Sequence, residues 1–432
     1  MKFYIKLAWR NIFRNKRRTL IASIAIGIGL AALIVTDAFM VGMRKNMIMS
    51  ITSSFLGQAQ IHRKGFRDEF DIDKTIANQN MVIKKLKDSN LIYKYSKRSI
   101  TMGIIKSPEE INPIALYGIE PELEKNISKI DDAVKTGQGT FLDGNKQTDI
   151  IIGSKLAEKL KVGLGDRVII TANGIKRTVK KPVKKNNTTV DEEEMLDEDE
   201  GPVEEAFYIS GIYKFNIKEM DSGMAFIRLE KAQKLLNLGN NIHEIAIKFV
   251  NIKDSTNKDL SIWKNISSKK NEFVSWDELL PQLRAMFEMT NISLFVTAII
   301  LFSMITFGII NTLFMSLFER MFEFGVLRAI GTRVSGIRKL LLFEAGALSI
   351  VSIIIGIILG SIAIYILSKT GIDYRGIEVG GATISDLLYP VFKLRQFVIY
   401  PFGVFIFTLI VGMYPAYVAG KMSITKALKK SL

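Results

Sequence analysis

Few residues in this chain are of the types that carry chemistry, and their spacing limits what they can do. The 432-residue sequence has two histidines, His62 and His243, and no cysteine. Imidazoles act as acid–base groups or metal ligands when a partner stands nearby, as in the i, i+4 pair of a zinc helix. These two fall in separate strand-like stretches, so each reads as a surface or half-buried histidine rather than a ligand. With no cysteine there is no thiol nucleophile, thiolate metal site or disulfide framework. No G-x-x-x-x-G-K-[ST] occurs; the nearest stretch, Gly137 to Gly144-Asn-Lys, lacks the spacing and the Ser/Thr of a phosphate loop. HExxH, nucleophile-elbow and calcium-loop patterns are also missing. An enzyme is therefore not expected. The informative cluster lies at 318–345, FERMFEFGVLRAIGTRVSGIRKLLLFEA, where Glu319, Arg320, Glu323 and Arg328 interleave with apolar residues. Phe322, Val326, Leu327 and Ile330 fall at i, i+4, i+5 and i+8, the spacing of an amphipathic helix. Gly331 is placed to stop it. Such a helix either links two spans at a membrane face or docks on another protein and carries force, and periodicity alone leaves both readings open.

The elements that hold this segment are apolar runs. No Asp, Glu, Lys or Arg occurs from Met289 to Phe318, nor from Ala345 to Ser368. Each run exceeds the roughly 20 residues that cross a bilayer core. Two further runs give four spans, at 19–43, 290–317, 340–367 and 396–417. The first is preceded by a basic amphipathic stretch, 1–18, whose Phe3, Leu7, Ile12 and Phe13 are expected to face lipid. Its uncharged stretch, 19–36, is longer than a signal-peptide core and no cleavage pattern follows, so it reads as an uncleaved anchor. Asp37 should lie near the far interface, as a solvated carboxylate or as a proton or ion site. Ile26-Gly-Ile-Gly29 and the pair Gly356/Gly360 would let helices approach closely. Pro401 and Pro415 are expected to kink the last span.

The hydrophobic fraction is 48% and mean hydropathy is +0.20, high for a soluble protein with 24% charged residues. The average merges four apolar runs with a polar middle long enough to bury its own core. The formal charge of +16 is concentrated beside the spans: residues 1–18 carry seven Lys/Arg and no acid, and the tail from Lys421 carries four and no acid. Cations at span ends are what the positive-inside rule and anionic headgroups demand, so the charge does not point to nucleic acid. The rule puts 318–339 and both termini (1–18 and 418–432) in the cytoplasm, and 44–289 with the loop 368–395 outside. The fold class expected is membrane α+β: four transmembrane helices with a large mixed α/β extracytoplasmic domain inserted between spans 1 and 2.

Within 44–289, strands are expected at 58–62, 112–117, 167–171, 207–212, 224–229 and 244–249, and helices at 75–87, 154–160, 230–236 and 254–269. The stretch 173–206 breaks the pattern. Lys176–Lys185 is basic, and 191–200, DEEEMLDEDE, holds eight acids in ten residues. Such a run repels itself and buries nothing, so a solvated, disordered hairpin tip is expected.

The run Glu319-Arg-x-x-Glu323-Phe-Gly325-x-Leu327-Arg328-Ala329-x-Gly331 resembles the coupling segment of the MacB/FtsX family of ABC-transporter permeases. Tyr117-Gly-Ile-Glu-Pro121, Ile152-Gly-Ser-Lys-Leu-Ala157 through Val162-Gly-Leu-Gly-Asp166, and Ser210-Gly-Ile-Tyr213 through Phe226-Ile-Arg-Leu-Glu230 resemble the family's extracytoplasmic domain. They are most similar to the branch of the lipoprotein-releasing permeases LolC and LolE, as are Gln60-Ile-His-Arg-Lys-Gly-Phe66 more loosely and the C-terminal Tyr414-Pro-Ala-Tyr-Val-Ala419 with Ala427-Leu428. The resemblance implies a permease subunit in the cytoplasmic (inner) membrane that passes ATPase motion to its outer domain and releases or exports lipoproteins. It implies two ABC ATPase subunits, which would bind ATP and Mg in place of any cofactor in this chain. A second copy or homologous permease, membrane lipids, and a lipoprotein cargo or periplasmic carrier complete the expected partners. Glu319, Arg320, Glu323, Gly325, Leu327, Arg328, Ala329 and Gly331 would be the ATPase-coupling residues, with charged members on the ATPase and apolar ones in its groove. In LolC-type subunits the position of 173–206 holds the hairpin that recruits the carrier. Other readings are an FtsX-like permease that activates a cell-wall hydrolase, a MacB-like drug or peptide exporter, and a membrane-anchored binding protein.

Overall fold

The computed structural model describes residues 2–142, 146–176, 199–267, 270–375, 377–379, 382–383 and 387–421. Residues 177–198, with most of the acidic run 191–200, lie outside these residues, as do Ala427-Leu428 and the rest of the tail; the two ends of the expected disordered hairpin, 173–176 and 199–206, are instead paired as strands. The described chain divides into two compact units. One comprises Met1–Asn46, Met286–Tyr374 and Asp386–Leu432; the other comprises Met47–Ala285 and Arg375–Ser385.

The first unit is helical. Helix α1 (Lys2–Ile12) leads through a short 3₁₀ turn, Phe13–Asn15, into α2 (Lys16–Ile51). Then come α3 (Pro281–Glu319), the short α4 (Met321–Ala329), α5 (Val334–Thr370) and α6 (Gln396–Lys421). Among the described residues four helices are long and apolar enough to cross a membrane: α2 within the continuous stretch Tyr4–Leu56, α3, α5 and α6. Glycine sets how α2 meets α5. A Cβ on Gly27 would lie 3.2 Å from the Gly356 nitrogen, and one on Gly356 would lie 2.9 Å from the Gly27 carbonyl. Two backbones therefore touch, the use of small residues that the sequence suggests. Helix α6 runs unbroken through Pro401 and Pro415. Asp37 is half-buried and lies near the Tyr400 hydroxyl of α6.

Helix α1 differs from the expected lipid-facing arrangement. Ile12 and Ala8 are buried and Leu7 packs against the core, while Ile5, Trp9 and Phe13 form the exposed apolar row; the Phe3 side chain lies outside the described set. The reason is a second contact face. Gly336 at the start of α5 leaves room for the Tyr4 hydroxyl, 2.9 Å from where a Cβ would stand.

The second unit is mixed α/β. Its strands are β1 (Ala59–Arg63), β2 (Ile92–Lys106), β3 (Ile111–Ile119), β4 (Gln138–Gly139), β5 (Asp149–Gly153), β6 (Arg167–Lys176), β7 (Asp199–Tyr213), β8 (Met224–Arg228), β9 (Glu244–Phe249) and β10 (Asn271–Ser275). They form one sheet in the order β10-β1-β9-β2-β3-β8-β5-β7-β4, with β6 pairing β2 and β7. The β3/β8 and β5/β7 pairs are parallel and the others antiparallel. The long β2 serves both halves, pairing β9 through its first part and β6 through its last. One core gathers Ile150, Leu156, Val168, Phe207 and Ile227; another gathers Ile61, Leu86, Ile247, Trp263 and Phe273. The helix expected at 254–269 is instead a 3₁₀ turn, Ile252–Thr256, and a helix, Ser261–Ile266. Asn257 breaks it by accepting the Asp259 amide on its side chain, a local bond that competes with the helical ladder.

Within the second unit α2 ends in a π-helical turn, Thr52–Leu56, closed by the Gly57 amide on the Thr52 carbonyl at 3.0 Å. Its other carbonyls find separate donors: the Lys129 amide on Ser53, Gln60 Nε2 on Leu56 and Arg98 Nη2 on Phe55.

Candidate functional site

Helix α4 is nine residues long, too short to persist alone in water. Its ends are well defined. Arg320 leaves helical geometry at φ −106°, ψ 14°, so α3 stops at Glu319 and α4 starts afresh. At the far end Gly331 takes φ +97°. The Gly331 amide bonds the Arg328 carbonyl at 3.1 Å and the Thr332 amide bonds the Leu327 carbonyl at 2.9 Å. Those two bonds are a Schellman stop, which needs the left-handed residue that glycine supplies cheaply.

The apolar positions separate into two faces. Met321, Phe324 and Gly325 are buried and Leu327 packs with them against the core that holds Leu317, Ile337 and Leu341. Phe322, Val326 and Ile330 stand at 48%, 39% and 74% exposure. Being at i, i+4 and i+8, they form one outward row. Leu327 therefore belongs to the anchoring face. Ala329 and Gly331 are exposed at the end of the row, and Arg328 is half-buried.

The charged residues find partners within the chain. Arg320, buried, donates from Nη1 to Glu344 at 2.5 Å and from Nε to Glu323 at 3.0 Å, and its guanidinium lies over the Phe324 ring. Glu344, at the start of α5's apolar stretch, is also buried and accepts Asn11 Nδ2 at 2.7 Å. Glu323 accepts Arg14 at 2.6 Å, and Glu319 accepts Arg18 at 2.5 Å. Partial burial works to raise the Glu323 carboxyl, but the bonds and charge of Arg14 and Arg320 outweigh it and hold the group below its ordinary range. Burial likewise works against the Arg320 cation, and Glu344 and Glu323 overcome it and hold its pKa above the ordinary value. The structure thus engages all three within the chain, Arg320 and Glu323 in one network and Glu319 in a separate pair with Arg18. Sequence reasoning missed the other members, Asn11, Arg14, Arg18 and Glu344. Glu344 carried a signal, being an acid that directly precedes an uncharged span.

The second unit holds its own charge cluster. Arg98 is 0% exposed. It grips Glu124 with Nε at 3.1 Å and Nη2 at 2.6 Å, and Glu244 with Nη1 at 2.6 Å. Its guanidinium carbon sits 3.7 Å from the centre of the Phe55 ring. His62 Nε2 lies 3.1 Å from the second Glu244 oxygen. Burial opposes the Glu244 charge, and Arg98 with His62 reverses that and holds the carboxyl low. His243 accepts the Ile100 amide on Nδ1 at 3.0 Å and donates Nε2–H to the Ile72 carbonyl at 2.8 Å, and burial pushes its pKa down. The two histidines lie on either side of Phe66, their rings 5.9 Å and 4.9 Å from it. Separated in sequence, they meet in the fold as structural groups. Among the described residues no group of three or more His, Asp or Glu is arranged to hold a metal.

Comparison with known proteins finds two family models, on successive parts of the chain. Residues 19–259 match the family model of the MacB-like periplasmic core domain, and residues 293–424 match the FtsX-like permease C-terminal model. The chain is similar to the lipoprotein-releasing system transmembrane protein LolC of Neisseria meningitidis serogroup B, 22% identical over 366 residues that cover 83% of this chain and 80% of that one. It is similar to the ABC transporter permease YtrF of Bacillus subtilis, 29% identical over 201 residues, 45% of this chain and 44% of that one. Among solved structures it aligns with the periplasmic region of MacB from Actinobacillus actinomycetemcomitans at 13% identity and a TM-score of 0.31, over 52% of this chain and 92% of that one.

Proposed function

The chain belongs to the MacB/FtsX family of inner-membrane ABC-transporter permeases, and on that premise we propose that α4 is the surface on which a separate ABC ATPase docks. The single observation that carries the reading is the outward row of Phe322, Val326 and Ile330 on a helix whose charges are engaged within the chain. Three apolar side chains left exposed on a helix anchored by its opposite face form a compact contact, with Phe322 as its aromatic anchor. Permeases of this family are not themselves the ATPase; ATP and Mg would be held by the docked subunit. Closing of that subunit would move α4, and α4 is joined to α3 and α5 by one residue at Arg320 and a tight turn at Gly331.

The 44–289 domain is read as extracytoplasmic, with both termini and α4 in the cytoplasm, following the concentration of Lys/Arg at 1–18 and from Lys421. A second permease copy or homologue would complete the transporter. Lipoprotein release or export is the proposed task, supported by the length over which the chain resembles LolC. The test is Phe322→Asp with Val326→Asp in the full chain, purified from membranes with its ATPase. Retention of the ATPase should fall by about a hundredfold, as expected for losing two anchors worth about 3 kcal/mol together, while membrane insertion is unchanged. Full retention would refute the docking surface.

A further inference from the structure

The charged ring around α4 begins and ends on the first eighteen residues. Asn11 bonds Glu344, Glu344 bonds Arg320, Arg320 bonds Glu323, and Glu323 bonds Arg14. Beside the ring, Arg18 bonds Glu319. The two outer ion pairs flank the one break in the helix. Glu319 is the last residue of α3, Glu323 lies in the first turn of α4, and the non-helical Arg320 stands between them. A break of this kind is where an element can swing, because a few terminal residues absorb the dihedral change. Gly331 supplies a second such position. Rotation of α4 between these points would swing Phe322, Val326 and Ile330 around its axis.

The outer pairs open to solvent. Arg14 and Glu323 are 63% and 39% exposed, Arg18 and Glu319 23% and 41%, and solvent-open pairs contribute little to stability. Their placement is informative instead. Each ties one side of the break to a separate position on the N-terminal segment, and α1 is itself seated on α5 through Tyr4 at Gly336. We propose that Arg14 and Arg18 are positioning residues: the N-terminal segment clasps both sides of the Arg320 break and sets the angle at which the apolar row meets the ATPase. The clasp converts α4 from a loosely hinged helix into a lever whose push reaches α3 and α5 together. The inference rests on the docking reading above.

The test uses the Arg18–Glu319 pair, which can be inverted without removing either carboxylate bonded to Arg320. Arg18→Glu, Glu319→Arg and the two combined are made in the full chain and purified with the ATPase in lipid nanodiscs. The readouts are ATPase retention, ATP turnover per complex relative to the ATPase alone, and melting temperature. Either single reversal should lower the stimulation of turnover by about tenfold, within the coupling range for neighbours in one network, with melting temperature unchanged. The combined inversion should restore most of it, and Arg14→Gln should lower it by a smaller factor. If Glu319 instead touches the ATPase directly, the combined inversion will not restore turnover, and the clasp is overturned. Unchanged turnover in both single reversals overturns it as well, as does a loss that tracks a fall in melting temperature without rescue. Phe322→Asp separates the two claims. If it leaves the ATPase bound, the docking surface is at fault. If it releases the ATPase while Arg18→Glu changes nothing, only the clasp fails.

Discussion

Arg98 and Arg320 make an instructive pair, since each is a buried arginine bonded to two carboxylates, one per structural unit. Around Arg98 the arrangement is sealed. Glu124 is gripped through both oxygens, the guanidinium rests on Phe55, and Glu244 is further bonded by His62. Around Arg320 one carboxylate, Glu344, is buried, but the other, Glu323, opens to the surface and passes the connection to Arg14. Bidentate geometry with no solvent access gives a rigid node. A half-open network gives a connection that remakes at low cost. The first suits a domain that must keep its shape under load, the second a joint that must change angle.

The comparison is tested most severely at Arg98. Arg98→Met leaves two buried carboxylates without a cation, and the full chain should lose about 3–5 kcal/mol, read as denaturant unfolding through the fluorescence of Trp263 and Trp276. Adding Glu124→Gln and Glu244→Gln should recover most of that loss, because a neutral buried set carries no stranded charge. Arg320→Met should cost less, about 2 kcal/mol, because Asn11 still serves Glu344 and Glu323 keeps Arg14. Equal losses at the two arginines would erase the distinction drawn here.

Acid should separate the carboxylates in the same order. Glu244 and Glu323 are both held below the ordinary carboxylate range. Their contribution is therefore complete above the unfolded value, about 4.3, and is lost as pH falls through the lower folded value. Melting temperature should stay flat from neutral pH to about pH 5 and then drop. Glu244→Gln should flatten that drop more than Glu323→Gln, since the Glu323 pairs are screened by solvent. The smallest effect on stability is expected from Arg14→Ala, at most about 1 kcal/mol, measured by the same unfolding transition.

The four long helices were legible in the sequence because an uncharged run of that length has few other uses. Helix α4 was legible too, since Phe322, Val326 and Ile330 keep helical spacing and Gly331 ends it. The division of its apolar residues was not, for Leu327 and Val326 are adjacent and only the neighbouring helices decide which is covered. The role of the charges also escaped the sequence. Arg14 and Glu323 are 309 positions apart, and nothing local to either names the other. Strand β2 was missed for a related reason. Lys94, Ser96, Lys97 and Arg98 look like a solvated stretch, and Arg98 can be buried only because Glu124 and Glu244 arrive from elsewhere. The histidines seemed unrelated until the sheet set β1 beside β9 and closed both around Phe66.

The wide turn at Thr52–Leu56 has a mechanical consequence. Its carbonyls are held by donors from four different places: Gly57, Lys129, Gln60 and Arg98. Drawing the turn out would cost all four of these bonds, so a tug on the helix end is passed to several separate parts of the domain rather than to the next residues alone.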